Sequence, residues 1–304
     1  MADGAELTLG MLVEHPKWGL GKIVHLTAPH LYVVFRDLSD RKAKRFTRGN
    51  NPLVPRPGLR DPILDNLPPL VFEGIDLVLP AERLPVSQAI EAFRDRFPLG
   101  FQDPAYLGDR TTGERNYKVA AHEAWVELLG GEKLRELLDA GEIEAVRERA
   151  KRVLGMINLL SQYELMALLD GLADDSAASR FFDMLERLLR AEGDLEPAFQ
   201  AFLDACEALP RKKGRVFSWP VVTVLPFLAL PQAHMLLKPE MTKAAALRLG
   251  FDLQYDPTPN WRTYSRLLEL ARIYFEELAS LAPRDRIDVQ SFLFVAAGGY
   301  DRPD

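Results

Sequence analysis

In this sequence, few of the residue types that act in catalysis or metal binding occur at a spacing typical of an active site. The five histidines have no metal-ligand spacing, and there is no glycine-rich phosphate loop and no nucleophile-elbow motif. We therefore predict no catalytic residues, no metal site and no cofactor. The alternative is an enzyme whose site is assembled from residues distant in sequence, because spatial clusters need not be sequence clusters. The candidates for such a site are Lys118, Glu123, His234 and Asp288.

The single cysteine, Cys206, favours a structural role. One cysteine excludes an intramolecular disulfide and a cysteine zinc cage. A reactive thiolate needs an electropositive setting, whereas Cys206 is flanked by Asp204 and Glu207 and shares an apolar helical stripe with Phe202 and Leu209. We expect its side chain to be buried.

Two basic clusters have the composition of a phosphate-binding surface. Lysine and arginine bind the nucleic-acid backbone by charge and by counterion release. The candidates for such contacts are Arg41, Lys42, Lys44, Arg45, Arg211, Lys212, Lys213 and Arg215. The chain has a net charge of −6 and a pI near 5.5, so any nucleic-acid contact has to be local. The alternative is that both clusters are solvated faces, and that the first protects an edge strand.

The segment 217–239 is dense in aromatic and apolar residues. Trp219, Phe227, His234 and Lys238 could line a pocket that holds a base or a peptide. We favour the plainer interpretation, a buried and irregular connection between helices.

Asp285 and Asp288 lie three residues apart beside arginines, so they could bind a metal or act as acid and base. Helix-start chemistry already explains them, because Pro283 suits a first helical position and carboxylates suit the positive end of the helix dipole. In the same way, Asn260 is a natural N-cap for the segment that follows it.

The elements in front of these residues are short strands. Residues 9–48 contain β-rich runs at intervals of about ten residues, separated by turn-forming segments, which is typical of a small antiparallel barrel or meander. Gly19 and Gly21 allow backbone angles that suit a tight corner between two strands. The predicted strands are 11–13, 22–26, 31–35 and 42–46.

The stretch from Gly10 to Val24, with its His-Pro pair at 15–16 and its Trp-Gly-Leu-Gly turn at 18–21, resembles the CarD-like RNA polymerase-interacting domain. It is also similar to the Tudor-like tail of UvrD/PcrA-type helicases. The resemblance covers residues 10 to 46, and the remainder of the chain matches neither family. It implies an SH3-like barrel that docks a protein, in those relatives often RNA polymerase.

The predicted docking residues are three aromatic side chains of this module, Trp18, Tyr32 and Phe35. A barrel of this size leaves an edge strand and a loop-lined groove exposed, and such edges pair with partner strands. The alternative for Trp18 is that it packs under its own loop. For His15 we favour a role in fixing the turn at Pro16.

The rest of the chain is predicted to be mostly helical, which makes the fold class α+β. Eight prolines interrupt residues 49–86, so we expect an extended connector, with 70–72 and 75–79 as short strands or anchors. The predicted domains are an SH3-like barrel at 1–50, this connector at 51–86 and an all-α domain at 87–304. Ser87 is the expected N-cap of the first helix. The predicted helices that follow are 116–129, 131–139, 142–154, 156–171, 176–191, 195–208, 240–249, 260–281 and 284–296.

The sequence start is acidic and lacks the pattern of a signal peptide, and no stretch is long and apolar enough for a membrane helix. We therefore expect a cytoplasmic protein without a membrane partner. The leading hypothesis is a non-catalytic adaptor or regulatory protein in nucleic-acid transactions. It would dock a protein partner through the barrel, such as RNA polymerase or a repair or defence complex. The alternatives are a direct DNA- or RNA-binding protein and the assembled enzyme site named above.

Overall fold

A computed structural model describes residues 6–109, 112–212 and 216–300 and confirms a mixed α+β fold, with an antiparallel sheet followed by helices. These residues divide into two compact units. The first unit contains the residues up to 96, together with 243–253 and the residues from 293 onward. The second unit contains residues 97–242 and 254–292.

The sheet of the first unit has five antiparallel strands in the order β4-β3-β2-β1-β5. The strands are Leu12–His15 (β1), Gly19–Leu26 (β2), His30–Phe35 (β3), Lys44–Thr47 (β4) and Val54–Arg56 (β5). Position 21 requires glycine because β2 and β3 lie close together there: a Cβ atom on Gly21 would lie 2.6 Å from Val33 Cγ1. The predicted strands are thus confirmed, but closure into a barrel is not, since β4 and β5 are opposite edges of an open sheet.

Both faces of this sheet are covered. Along β3, Leu31, Val33 and Phe35 point into one apolar cluster, while Tyr32 and Val34 point into another. The second cluster is completed by side chains that follow residue 50, among them Leu64, Leu77 and Leu79. The first unit therefore extends past the predicted boundary at residue 50, and β5 also lies beyond it.

The proline-rich segment contains the predicted short strands. Val71–Glu73 (β6) and Asp76–Val78 (β7) form an antiparallel hairpin. The β7 end of this hairpin is held by backbone hydrogen bonds: the amide of Ala43 donates to the carbonyl of Leu77 (2.9 Å), and that of Leu79 donates to the carbonyl of Arg41 (2.8 Å). A 3-10 turn at Leu64–Asn66 precedes it.

The helices largely follow the predicted positions. Those outside the segment 217–239 are Val86–Arg96 (α1), Pro104–Leu107 (α2), Asn116–Leu129 (α3), Lys133–Asp139 (α4), Ile143–Leu154 (α5), Gln162–Gly171 (α6), Asp175–Arg190 (α7), Glu196–Glu207 (α8), Pro239–Arg248 (α10), Trp261–Glu277 (α11) and Arg286–Ala296 (α12). Asn260 caps α11 as predicted, since its side chain accepts from the amide of Thr263 (3.0 Å). Ser87 is not a cap: α1 begins one residue earlier, and the carbonyl of Pro85 accepts from the amide of Ala89.

The interpretation of 217–239 as an irregular connection was wrong for its first half. Trp219–Ala229 is a helix (α9), and all eleven of its residues are buried. It packs against α3, α6 and α7. Pro220 stands in the first turn, where its missing amide costs nothing, and the hydroxyl of Thr223 donates to the carbonyl of Trp219 (2.7 Å). No helix of the described residues has the length and apolar character needed to cross a membrane.

Candidate functional site

The first unit has an open apolar groove between β2 and the segment that leads into the β6–β7 hairpin. It encloses about 510 Å³. Its walls are mainly apolar, because two consecutive prolines and a run of leucines bring the chain back over the sheet. The apolar lining side chains are Leu9, Ile23, Val24, Leu64, Leu67, Pro68, Pro69, Leu70, Phe72 and Leu77.

The hairpin beside the groove exposes large apolar side chains. Val71 is 55% exposed, Phe72 50% and Ile75 68%. The ring of Phe72 stands edge-on to the ring of His25 (5.1 Å between centroids) and to that of Tyr32 (5.8 Å). Since Tyr32 is itself buried, it supports Phe72 from below and fixes the position of that ring at the groove.

The charges around the groove and hairpin are paired. Lys22 binds Asp65 at 2.7 Å within the groove wall. Along the hairpin, Arg41 forms an ion pair with Glu73, and Lys42 binds Asp76 at 2.6 Å. The positive and negative charges of each pair neutralise each other. The surface around the groove and hairpin therefore favours an apolar occupant over a charged one.

The outer strand of the hairpin has a free edge. Among the described strands β6 pairs with β7 alone, and its three residues are all exposed. A strand in this position presents unpaired amides and carbonyls to an incoming chain. Groove, apolar hairpin and free edge together form what we call the hairpin surface, defined by Leu9, Leu67, Leu70, Val71, Phe72 and Ile75.

The three predicted docking residues do not form an exposed surface. Phe35 is 2% exposed and Tyr32 6%, and they lie on opposite faces of the sheet. Trp18 is half-buried and stacks on His15, with 4.2 Å between ring centroids, so it packs over its own loop. The ring of His15 accepts from the amides of Lys17 (3.1 Å) and Trp18 (3.3 Å), which fixes the turn after Pro16.

The first basic cluster is largely neutralised. Arg41 and Lys42 contact the acids of the hairpin, and Lys44 contacts Asp40. Arg45 is exposed and has no ion-pair partner in the described part of the chain. One cation of the four therefore remains for a phosphate.

The second basic cluster belongs to the other unit. Arg211 and Lys212 are exposed. Lys213 and Arg215 lie outside the described residues.

Two of the four residues in the assembled-enzyme alternative meet in one polar cluster of the second unit. Asp288 is fully buried and accepts from the Tyr106 hydroxyl, from Arg115 (2.8 Å) and from the amide of Arg284 (2.8 Å). Burial, followed by the charge of Asp288, raises the pKa of Tyr106 well above its usual value.

Lys118 lies in the same cluster and is also buried. Its ammonium donates to Glu114 (3.2 Å), Gln290 (3.0 Å) and Ser291 (3.2 Å). Burial lowers its pKa. Every one of these groups has a protein partner and the lysine has almost no exposed surface, so a substrate has no access to it.

The other two candidates lie elsewhere. Glu123 is exposed on α3. His234 is buried, and its Nδ1 is 3.0 Å from the hydroxyl of Tyr264. Burial lowers the pKa of His234 to about 4, so the ring is neutral at pH 7. The four residues therefore do not form one site.

The alternative of a pocket lined by Trp219 and Phe227 is not supported. Both side chains are buried, and the indole of Trp219 donates to the carbonyl of Asp256 (2.8 Å). Cys206 is buried as expected, which raises the pKa of its thiol. Within residues 6–109, 112–212 and 216–300, no three metal-ligating side chains come together.

No family model matches the chain, and no solved structure is significantly similar to it.

The hairpin surface is the functional candidate that the sequence analysis missed. The signal was present in the two apolar runs at 70–72 and 75–79, which were identified as strands or anchors. Val71 and Phe72 point to opposite sides of β6 and are both exposed, and Ile75 is exposed in the turn between β6 and β7.

Proposed function

We propose that this protein is a non-catalytic docking protein whose first unit binds an extended apolar segment of a partner protein at the hairpin surface. The observation that carries the proposal is a cluster of exposed apolar side chains on a free-edged strand next to an apolar groove. Scattered exposed hydrophobic residues are ordinary, but a contiguous patch marks an interaction surface.

The energetics favour this occupant. Full burial of a large apolar side chain contributes about 1.5–3 kcal/mol, and Val71, Phe72 and Ile75 are each at least half exposed. Backbone hydrogen bonds to β6 would align the incoming strand, and the groove would take alternate side chains from it. Because the nearby charges are paired with each other, the hairpin surface offers no unpaired charge to attract a charged peptide.

The resemblance of residues 10–46 guides the choice of partner. It supports an SH3-like module, and the pairing of β5 with β1 at the end of a meander is compatible with such a module left open between β4 and β5. On this basis we propose a partner from the transcription, repair or defence machinery, with RNA polymerase as the first to test.

The test uses the full chain and a display library of random ten-residue peptides. We expect selection of peptides with alternating apolar residues. The double variant Phe72→Ser, Ile75→Ser should bind them at least about tenfold more weakly, the effect of losing about 1.4 kcal/mol of apolar burial. Tyr163→Ser is the matched control, because Tyr163 is an exposed aromatic residue of the second unit. Equal affinity of the double variant and the wild type would contradict the proposal.

A second arm measures binding of purified RNA polymerase to the same three proteins. Loss of binding in the double variant alone would identify the polymerase as a partner of the hairpin surface. Peptide binding without polymerase binding would retain the docking function and reject this partner.

A further inference from the structure

The second unit contains a small pocket that the docking function does not use. It has a volume of about 180 Å³ and is bounded by the start of α12 and the last turns of α11. Three arginines, Arg272, Arg284 and Arg286, contribute to its wall, together with Gln232 and the half-exposed ring of Phe275. The pocket is smaller than a site for a drug-sized ligand, so its occupant has to be compact.

Two carboxylates also line the pocket, and both are engaged. The two oxygens of Asp285 accept from Arg115 at 2.8 and 2.7 Å. Glu276 accepts from Arg272 at 2.7 Å. Arg272 is held further by Glu269, so each of its three guanidinium nitrogens donates to a carboxylate.

Arg286 lacks such a partner. One guanidinium nitrogen donates to the carbonyl of Ala233, and no carboxylate of the described part of the chain forms an ion pair with this residue. Burial lowers the pKa of Arg286, and the neighbouring Tyr264 hydroxyl offsets this only in part. A partly desolvated cation without an anion is unfavourable, because the loss of hydration is not repaid.

Two further donors at the pocket are uncommitted. The guanidinium of Arg284 uses Nε and one terminal nitrogen for Asp288 and for the carbonyl of Phe101, which leaves the other terminal nitrogen. The exposed amide group of Gln232 has no hydrogen bond within the described residues.

We propose that this pocket binds a small oxyanion, a phosphate or carboxylate group. Arg286 supplies the charge that the anion neutralises, and Arg284 and Gln232 supply further hydrogen bonds. Phe275 forms an apolar wall for the part of the ligand that carries the anionic group. Guanidinium groups suit this role, because they present several N–H donors to the oxygens of one anion.

The test titrates the full chain with inorganic phosphate, phenyl phosphate and benzoate by isothermal titration calorimetry. We expect saturable binding of at least one of them, and the ranking of the three separates phosphate from carboxylate and shows whether an aryl group adds affinity. Arg286→Gln should weaken binding at least about tenfold, since a charge-assisted hydrogen bond is worth that factor or more. Arg262→Gln is the matched control, because Arg262 is an exposed arginine of the same helical unit and does not line the pocket.

A second variant guards against a folding defect in Arg286→Gln. Gln232→Ala removes an exposed side chain without a hydrogen-bond partner, so it should keep the wild-type melting temperature and weaken binding several-fold. Saturable binding that is unchanged in both variants would overturn the proposal. The absence of saturable binding by all three compounds up to about 10 mM would also overturn it, because this concentration exceeds a dissociation constant of about 1 mM, which is typical of weak complexes.

Discussion

The hairpin surface of the first unit and the buried polar cluster of the second unit differ in which side chains they expose. In the first unit, cations and acids pair with each other on the surface, while apolar side chains of the β6–β7 hairpin face the solvent. In the second unit, a carboxylate, a lysine and an arginine are buried together. The comparison shows that accessibility, rather than residue type, separates a candidate binding surface from a structural core: the catalytic-type residues are sealed in, and the apolar residues are open.

The largest effect is expected from the buried cluster. Asp288→Ala removes the acceptor shared by Tyr106, Arg115 and Arg284, and should lower the free energy of unfolding by about 3–5 kcal/mol, because it leaves buried donors and charge uncompensated. Denaturant unfolding measures this. Asp175→Ala, which breaks an exposed pair with Arg147, should change stability little. Equal effects of the two variants would show that the buried contacts of Asp288 contribute no more to stability than an exposed ion pair does.

A comparable loss is expected in the first unit from an apolar residue. Leu64 is fully buried and packs on the sheet from the segment beyond residue 50. Leu64→Ala should cost about 2–5 kcal/mol, whereas the exposed Leu59→Ala should cost little. If Leu64→Ala leaves the unfolding curve unchanged, the sheet does not need the packing of residues beyond 50 for its stability. That result would support a domain boundary at residue 50.

The pH dependence of stability sharpens the account of the second unit. The pKa of His234 is lowered from 6.5 to about 4 in the folded chain by burial, and then by the charge of Arg286. The unfolded chain therefore binds more protons between these pH values, so stability falls as the pH drops from about 6.5 to 4, by about 3 kcal/mol in total.

Urea unfolding at pH 7 and pH 4.5 tests this contribution. His234→Gln should reduce the difference between the two pH values, because the titrating group is gone. His25→Gln, a histidine of the first unit, should retain the wild-type difference. An unreduced difference in His234→Gln would show that other groups cause the acid sensitivity.

The smallest effect is expected from the first basic cluster. Arg41, Lys42 and Lys44 are paired with acids, so Arg45 is the one cation of the four left to bind a phosphate, and one contact is too few for stable DNA binding. Arg45→Glu should therefore change the binding of a DNA duplex little in a gel shift at about 50 mM salt, where phosphate contacts are strongest. Strong binding by the wild type that Arg45→Glu abolishes would favour direct nucleic-acid binding over protein docking.

Much of the local structure could be predicted because its signals are local. Asn116–Leu129 has the predicted bounds, and the predicted cap at Asn260 marks the start of α11. The helix predicted at 156–171 begins only at Gln162, because the capping box of Ser161 and Glu164 sets its start. Helix α9 was missed because a helix that is buried on every side has no polar face, so its sequence shows no helical period.

The errors in the docking residues have a different origin. Tyr32 and Phe35 are separated by an odd number of positions in one strand, so they point to opposite faces and cannot share a surface. The burial of Tyr32 depends on residues 64–79 packing over the second face, a long-range contact without a local signature. The meeting of Lys118 with Ser291 is another contact of this kind.

Hydrogen–deuterium exchange of the full chain, with and without a selected peptide, tests the central claim most directly. We predict that the peptide slows amide exchange at Val71–Glu73 and at Leu67 and Leu70 of the groove, because the free edge of β6 gains a partner strand. Protection confined to the loop around Trp18, or to the helices of the second unit, would contradict the assignment of docking to the hairpin surface.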